Sequence, residues 1–441
     1  MKPSRDWPIA VRMIEVQDAL RGIDDLTEYP RTRVFVLDAG ALIGSVDIHN
    51  CRRPISAPRL RQAIGDWQAW RLMKRALQRQ IAVTAEPPLS PAVTVSIVVP
   101  TCNRPDDLRR CLMALRAQRS ARAVEIVVVD NRPGTAITPN VVRDFPEARL
   151  IEEHRPGLSY ARNAGFVEAT GDILIAIDDD VTVPAGWLER LVAPFGRADV
   201  MAVTGHVLPV ELETESQCRF EAYGGLGKGF ARFEVDGSWF RSRRTAVPTW
   251  HLGATANAAF RAACFRDPAI GLLDEALGAG MPTGCSEDTY LFYRILKAGH
   301  TIVYEPTAWV WHRHRNDSSS LRNQIYAYSK GHVAYHLTTL MRDRDPRALV
   351  RLGWSLPKVY LRRAVERLRR RSDYPLDLIL TEIAGNLAGP WALWQARRRV
   401  RRFGPSAAYV LPSERVLRDV SAAARPAPAT NHAVSIQSPL A

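Results

Sequence analysis

Three apolar runs decide the fold of this 441-residue chain: VTVSIVVP at residues 93–100, VEIVVVD at residues 124–130 and ILIAIDDD at residues 173–180. Each run is apolar at nearly every position before its polar end, which is typical of strands buried on both faces of a sheet. Helical patterns separate the runs, and strands alternating with helices favour parallel pairing. The sequence therefore predicts an α/β fold with a mostly parallel central sheet flanked by helices.

Polar residues follow each of these runs. The three strand ends read Thr101-Cys102-Asn103, Asp130-Asn131 and Asp178-Asp179-Asp180. In open α/β sheets, ligands bind beyond the carboxyl ends of the strands. We therefore expect the three ends to lie at one edge of the sheet and to form a single ligand site.

The acidic triplet Asp178-Asp179-Asp180 indicates a divalent cation. Neighbouring carboxylates at the end of a buried strand repel one another unless a cation offsets their charge. Their hard oxygens suit Mg²⁺ or Mn²⁺, and Mg²⁺ typically binds one or two carboxylates together with substrate phosphates. A solvated acidic loop is the alternative, but the position of the triplet directly after ILIAI favours the metal.

A second constellation, Glu287-Asp288, stands at the start of a helical pattern. A carboxylate at this position can cap the helix, and capping does not exclude a catalytic role. His312 follows twenty-four residues after Asp288, within the motif WHRHR. Its neutral imidazole can bind Mn²⁺ and the adjacent arginines can bind a diphosphate, while a surface histidine is the other interpretation.

The composition limits the class of protein. Hydrophobic residues make up 46% of the chain and charged residues 24%, as in ordinary globular proteins, so a fibrous chain is excluded. Sixty Lys and Arg against forty-six Asp and Glu give a net charge of +14, which suggests an anionic partner: nucleic acid, anionic lipid or a phosphate-bearing ligand. The six cysteines are scattered without C-x-x-C spacing, which favours reduced thiols in the cytosol.

The length exceeds that of a single hydrophobic core and predicts several segments. We divide the chain into a small N-terminal α+β module at 1–90, an α/β domain at 91–335, a basic amphipathic helical region at 336–403 and a disordered tail at 404–441. In the module, the sequence at 33–48 predicts two strands around an Ala39-Gly40 turn, and Ala57 to Gln80 predicts a helix. No apolar stretch has the length of a signal peptide or a membrane span, so we expect a cytoplasmic protein.

Most of the excess positive charge lies between Met341 and Arg402. This stretch carries sixteen Lys and Arg against six Asp and Glu, which accounts for ten of the fourteen net charges. Apolar and aromatic residues are interspersed at Trp354, Leu356, Val359, Tyr360, Trp391 and Trp394. The mixture is typical of helices on anionic membranes and predicts peripheral attachment to the inner face of the plasma membrane. A solvated basic face is the alternative.

The glycine-rich stretch GGLGKGF at residues 224–230 invites a phosphate-loop interpretation but fails both common templates. The Walker spacing requires Gly at Ala222 and Ser or Thr at Gly229, and the dinucleotide spacing lacks its third glycine. We interpret the stretch as a mobile loop.

Six motifs in this order resemble an inverting, bacterial-type family 2 glycosyltransferase with the A-type nucleotide-diphosphosugar fold. They are SIVVPTCNR, EIVVVDNRP, GLSYARNAGF, GDILIAIDDDVTVPAGWLERL, SEDTYLFYRILKAGHTIVYEP and WHRHR, and they extend over half the chain, from about Val95 to Arg315. The resemblance implies transfer of a sugar, of the hexosyltransferase type, from a nucleotide-diphosphosugar donor. The expected acceptor is a hydroxyl of a glycan or lipid-linked glycan in cell-surface polysaccharide or glycolipid synthesis.

The resemblance also implies roles for individual residues. Those expected at the nucleotide-sugar are Pro100, Thr101, Arg104, Asp130, Arg162, Asn163, Asp178 and Asp179. Asp178, Asp180 and His312 are expected at the Mg²⁺ or Mn²⁺ ion, and Asp288 is expected to be the catalytic base. The triplet leaves open which carboxylate contacts the metal directly, and Asn131 stands where many relatives have a second acid.

Three other functional classes remain as alternatives. A nucleotidyltransferase can share the fold and the metal, but the sequence has no glycine-rich signature loop after its first apolar strand. A nucleic-acid-binding protein would use the positive charge, yet no recognised nucleic-acid module is present, so we expect no nucleic-acid partner. A catalytically silent protein that binds sugar nucleotides or glycans is disfavoured because both Asp288 and the triplet are retained.

Overall fold

The computed structural model describes residues 7–81, 87–369, 374–412 and 414–415. Its strands are β1 (Ile9–Glu15), β2 (Arg31–Asp38), β3 (Ala41–His49), β4 (Val95–Thr101), β5 (Val124–Asp130), β6 (Ala148–Glu152), β7 (Ile173–Ile177), β8 (Val181–Thr182), β9 (Val200–Pro209), β10 (Phe233–Val235), β11 (Asn257–Arg261) and β12 (Thr301–His312). Its helices are α1 (Ala57–Gln80), α2 (Pro105–Arg116), α3 (Ile137–Val142), α4 (Leu158–Glu168), α5 (Trp187–Val192), α6 (Glu215–Tyr223), α7 (Gly237–Ser242), α8 (Ala263–Arg266), α9 (Glu287–Lys297), α10 (Ser318–Asp343), α11 (Arg347–Val350), α12 (Leu356–Leu368) and α13 (Leu376–Phe403). The predicted disordered tail at 404–441 lies outside the described residues from 416 onward.

A mixed central sheet forms the middle of the fold. Its strand order is β10-β12-β9-β11-β7-β4-β5-β6, with β8 paired to β12. Strands β4, β5, β6, β7, β9 and β12 run in one direction, and β8, β10 and β11 run in the other. The prediction of a mostly parallel sheet flanked by helices is confirmed.

The apolar runs of the sequence become the buried centre of this sheet. Every residue of β4 and of β7 is buried, because helices cover both faces. Helix α4 lies close to one face, where a Cβ atom at Gly165 would clash with the side chain of Val98. This close approach fixes the height of α4 above the strand ends and therefore the position of its Arg162.

The N-terminal residues form the predicted α+β module. Its sheet has the order β1-β2-β3, and α1 packs across it through Leu60 and Ile64. The module contacts the central sheet through an apolar cluster in which Phe35 and Leu42 pack against Trp309. Along α1 and just after it, large apolar side chains are exposed: Trp67, Trp70, Met73, Leu77 and Ile81. Nothing in the sequence pattern predicted that these side chains would be left uncovered.

The C-terminal helices are built into the same core as the central sheet. Helix α13 packs along α10, and its Leu393 and Ala396 belong to the apolar cluster that also contains α9. Buried Asp274, which precedes α9, accepts hydrogen bonds from both terminal nitrogens of Arg397 at 2.7 and 2.8 Å. Within the described part of the chain, no helix is both long enough and apolar enough to cross a membrane.

Candidate functional site

A cavity of 1750 Å³ opens at the carboxyl ends of β4 and β7. It extends from the strand ends to the C-terminal helices, where Tyr360 and Asn386 line it. Most of the site residues predicted from the sequence share its wall. They are Pro100, Thr101, Arg104, Arg162, Asp178, Asp179, Asp180, Asp288 and His312.

Two predicted residues, Asp130 and Asn163, do not line this cavity. Asp130 is buried at the end of β5, where one oxygen accepts the backbone N–H of Arg132 and the other has no hydrogen-bond partner among the described residues. Asn163 is buried on α4 and its amide pairs with the backbone of Leu273 in both directions, at 2.9 and 3.0 Å. Its contacts therefore hold the loop before α9, and no part of its side chain faces the cavity.

The middle carboxylate of the triplet is held by neighbouring side chains. Asp179 accepts a hydrogen bond from the Thr101 hydroxyl at 2.7 Å and another from Arg104 at 3.2 Å. The same Arg104 nitrogen lies 3.0 Å from Asp180. Burial, and after it the charge of Asp180, raises the pKa of Asp179 to about 7. The triplet is thus a site where negative charge is costly without a further cation.

Arg162 joins the triplet to the second constellation. Its guanidinium donates to Asp178 at 2.5 Å and to Glu287 at 2.8 Å, and the side chain is 1% exposed. Burial raises the pKa of Glu287 to about 7, the charge of Asp288 adds to this rise, and Arg162 opposes it. One buried cation therefore sets the relative positions of carboxylates on β7 and α9.

The start of α9 places Asp288 on the cavity wall. Ser286 precedes the helix with φ 80°, a left-handed conformation that is uncommon for a residue other than glycine and often marks functional sites. One oxygen of Asp288 accepts the backbone N–H of Thr289 at 2.6 Å, and the other lies 3.4 Å from the N–H of Thr255. Asp288 therefore caps the helix and lines the cavity at the same time.

His312 lies at the end of a polar chain of side chains. Its Nε2 is 3.4 Å from Asp180 Oδ1, and its Nδ1 is 3.1 Å from Nδ1 of His314. His314 in turn contacts Glu221 at 2.9 Å, and Glu221 accepts a hydrogen bond at 2.9 Å from Arg33 of the N-terminal module. Burial lowers the pKa of His312 despite the opposing charge of Asp180, so its imidazole is neutral at pH 7.

One tautomer of the histidine pair gives each of these contacts a donor and an acceptor. In this tautomer, His314 donates from Nε2 to Glu221, and its Nδ1 accepts from Nδ1 of His312. The lone pair of His312 Nε2 then faces Asp180 Oδ1, a buried oxygen with no hydrogen-bond partner among the described residues. Two acceptors that face each other across 3.4 Å suit a shared cation, and imidazole with carboxylate is a donor set that suits Mn²⁺.

The described residues do not by themselves gather three His, Cys, Asp or Glu side chains around one point at which a metal could bind. Asp178 is turned toward Arg162, so it does not complete a protein-only site with Asp180 and His312. The pair fits the way Mg²⁺ and related ions bind in phosphate-transfer sites, where substrate phosphates and water supply the remaining ligands.

The sequence did not indicate several other residues of the cavity wall. Lys228 comes from the glycine-rich stretch, Trp250 and His251 from a short turn before β11, and Arg351 from the turn between α11 and α12. Lys228 lay in the glycine-rich stretch and Arg351 in the basic region, but neither pattern predicted a place on the cavity wall. Trp250 and His251 carry no local signal, because distant segments bring these residues together.

A family model described as "Glycosyl transferase family 2" matches residues 96–266, which include β4, α4 and the triplet. Residues 96–266 therefore carry the sequence pattern of glycosyltransferase family 2. This confirms the resemblance inferred from the motifs, and the matched region contains the acidic edge of the cavity but not Asp288 or His312.

Two relatives match beyond this region. The pre-mycofactocin glycosyltransferase of Mycobacterium tuberculosis is 29% identical over 238 residues, covering 52% of this chain and 45% of the relative. The succinoglycan biosynthesis protein ExoM of Rhizobium meliloti is 29% identical over 224 residues, covering 49% of this chain and 65% of the relative. The chain therefore spans less than two thirds of the length of either relative.

Among solved structures, the mannosyltransferase PcManGT from Pyrobaculum calidifontis, in complex with GDP-Man and Mn²⁺, is 19% identical. The superposition covers 80% of this chain and 87% of that one, with a TM-score of 0.41. At this TM-score the overall correspondence is loose.

Replacing Arg162 with methionine tests the buried link between the two constellations. Arg162→Met leaves the carboxylates of Asp178 and Glu287 buried without their cation, so we expect the free energy of unfolding at pH 8 to fall by about 3–5 kcal/mol. Urea denaturation of the full chain measures it. Arg109→Met is the matched control, because Arg109 pairs with Asp144 on the surface and should cost at most about 1 kcal/mol. Equal losses in the two variants would show that the buried link does not stabilise the fold.

Proposed function

We propose that the chain transfers a sugar from a nucleotide-diphosphosugar to an acceptor hydroxyl in one metal-assisted, inverting displacement. One observation carries this proposal. Two side chains that could bind a cation, Asp180 and His312, lie on the wall of the same cavity as a carboxylate suited to act as a base, Asp288. The family 2 match and a relative named for succinoglycan biosynthesis support sugar transfer in the synthesis of a cell-surface polysaccharide or glycolipid.

The strand ends would hold the donor. Thr101 and Arg104 orient the triplet by hydrogen bonds, and Pro100 forms the adjacent wall for the nucleotide. Asp180 and His312 would hold Mg²⁺ or Mn²⁺, while Asp178, predicted as a third ligand, is paired with Arg162. When bound, the cation supplies Lewis-acid stabilisation of the negative charge that develops on the leaving diphosphate. Arg315, which also lines this part of the cavity, adds a fixed positive charge near His312.

Asp288 would remove the proton from the acceptor hydroxyl as that oxygen attacks the sugar. The backbone N–H of Thr289 fixes one of its oxygens, and the carboxylate faces the cavity. Arg162 and Glu287 hold the start of α9 in place behind it. A single base and no covalent nucleophile are sufficient for inversion, whereas double displacement requires a nucleophilic group on the opposite face.

The C-terminal helices would attach the protein to an anionic membrane surface. Along α13, Leu376, Leu380, Leu387, Trp391 and Trp394 are exposed on one side of the helix, and we call this row the α13 stripe. The stripe contains no acidic residue and continues into Arg398, whose guanidinium lies over the Trp394 ring. Exposed tryptophan and leucine next to arginine are typical of helices in the headgroup region. Such attachment would bring a lipid-linked acceptor to the cavity.

The two candidate metal ligands, Asp180 and His312, are tested by removing either side chain. We expect Asp180→Ala and His312→Ala to abolish the Mn²⁺-dependent part of donor binding, because the two facing acceptors are lost. Calorimetric titration with UDP-, GDP- and dTDP-sugars, with and without Mn²⁺, measures this. Asp106→Ala, an exposed carboxylate on α2, is the control and should bind as the parent chain does. Unchanged metal dependence in both test variants would overturn the assignment.

The proposed base is tested by an almost isosteric change. Asp288→Asn cannot accept the acceptor proton, so turnover should fall by roughly 10² or more while donor binding changes little. The released nucleoside diphosphate reports turnover at saturating donor. Asp377→Asn is the matched control, because Asp377 also lies in the first turn of a helix but away from the cavity. A variant that binds donor poorly yet retains its rate at saturation would make Asp288 a cap only.

Membrane attachment is tested on the full chain, because α13 is part of the core and its removal would unfold the protein. We expect Leu387→Ser combined with Trp391→Ser to reduce flotation with vesicles that contain phosphatidylserine, since both side chains are more than half exposed. High salt should also reduce flotation of the parent chain with the same vesicles, compared with low salt.

The matched control changes Trp67→Ser and Trp70→Ser among the exposed apolar side chains of α1. If this control loses vesicle binding and the α13 variant retains it, attachment occurs through the N-terminal module. If the parent chain does not float at low salt, the acceptor does not require a membrane-bound enzyme.

A further inference from the structure

Positive charges on the wall of the cavity differ in whether they are paired. Arg104 and Arg162 contact the acidic residues of the triplet and of α9, and Arg363 contacts Glu382. Lys228 and Arg351, like Arg315 at the triplet end, form no ion pair with a carboxylate in the part of the chain that the structure describes. Because an unpaired cation in a partly buried site is costly, these two residues indicate an anionic ligand.

Arg351 is held in a fixed orientation although it has no counter-ion. Its Nε donates to Nε2 of His332 at 3.3 Å, and its guanidinium lies 5.2 Å from the centre of the Trp250 ring. These neutral contacts occupy one nitrogen and one face of the guanidinium. Its two terminal nitrogens make no hydrogen bond to any described residue, and the side chain borders the cavity. This arrangement presents the fork that binds carboxylate or phosphate in two hydrogen bonds.

His251 lines the same cavity as Arg351 and Lys228. Its Nε2 accepts a hydrogen bond from the indole N–H of Trp250 at 2.9 Å, so the neutral ring carries its proton on Nδ1. Burial, and after it the positive charges of Lys228 and Arg351, lowers the pKa of His251. All three side chains line one cavity, and Trp250 contacts both Arg351 and His251, so one anion can meet them together. We call Lys228, His251 and Arg351 the cationic wall.

A series of contacts joins the triplet to the proposed base and to the segment that carries His251. Contacts lead from Asp178 through Arg162 to Glu287, and Asp288 follows in the chain. From Asp288 they continue to the N–H of Thr255, four residues after His251. A donor whose diphosphate lies at the triplet would place its sugar before Asp288. An anion at the cationic wall therefore belongs to the other substrate.

We propose that the cationic wall is a subsite for an oxyanion of the acceptor, either a phosphate or a carboxylate, close to the hydroxyl group that is glycosylated. The proposal rests on the proposed sugar transfer and adds a substrate class to it: an acceptor that carries its own negative charge next to the reacting hydroxyl. The charge would orient the hydroxyl toward Asp288, and a neutral glycan would lack this contact. Lys228 gives the glycine-rich stretch a role in this contact.

The test is calorimetric titration of the full chain with inorganic phosphate and, separately, with glucuronate, both in EDTA so that no bound metal captures the probe. We expect saturable binding of at least one probe at millimolar concentration. Arg351→Gln and Lys228→Gln should each weaken that binding about tenfold or more, since each removes a charge-assisted contact. Arg351→Lys retains the charge and should recover part of the affinity. Preference for phosphate indicates a phosphorylated acceptor, and preference for glucuronate indicates an acidic sugar.

Two controls make the result specific. Lys358→Gln removes one exposed charge from α12 outside the cavity and should leave binding unchanged. Arg315→Gln removes an unpaired cation at the triplet end, and if only this variant loses the probe, the anion belongs to the donor site and the proposal is wrong. Failure of both probes to bind the parent chain also overturns it. Because the titration uses no donor, metal or turnover, its outcome is independent of whether the proposed sugar transfer is correct.

Discussion

The arrangement of this site depends on one buried arginine. Arg162 is the only positive charge in contact with both Asp178 and Glu287 among the described residues, and it lies almost entirely out of water. Without it, carboxylates at the end of β7 and at the start of α9 would have to separate or take up protons. With Arg162 in place, the acidic strand end proposed to hold the donor keeps a fixed position relative to the proposed base. The close packing of α4 on the sheet at Gly165 is what puts that guanidinium between them.

The central sheet and its acidic edge could be predicted from the sequence because both depend on local patterns. Runs that are apolar on every residue require burial on both faces, and parallel strands place their polar ends together. Thr101 and the acidic triplet therefore line one cavity, and the Thr101 hydroxyl donates to Asp179 at 2.7 Å. The link from Arg162 to Glu287 could not be found in this way, since 125 positions separate the two residues and no local pattern connects them.

Two other residues of the predicted or observed site lie where the sequence patterns did not suggest, and each case has a physical reason. Arg162 and Asn163 are neighbours in one motif, but successive residues of a helix point in different directions, so Arg162 reaches the cavity while Asn163 fastens the loop at Leu273. One residue of the basic region also lies at the site, which the composition of that region did not predict. That composition favours a surface helix, yet the fold turns Arg351 toward the cavity, and charge counts do not show where a helix returns to the protein.

Arg33 has a wider consequence than its place in the N-terminal module suggests. It pairs with Glu221, whose other oxygen lies 2.9 Å from His314, and His314 in turn contacts His312 at 3.1 Å. Through these contacts the module reaches a residue almost three hundred positions later in the chain. A catalytic domain separated from residues 7–81 would lose Arg33, and with it one of the two side-chain partners that hold a largely buried glutamate in this series of contacts.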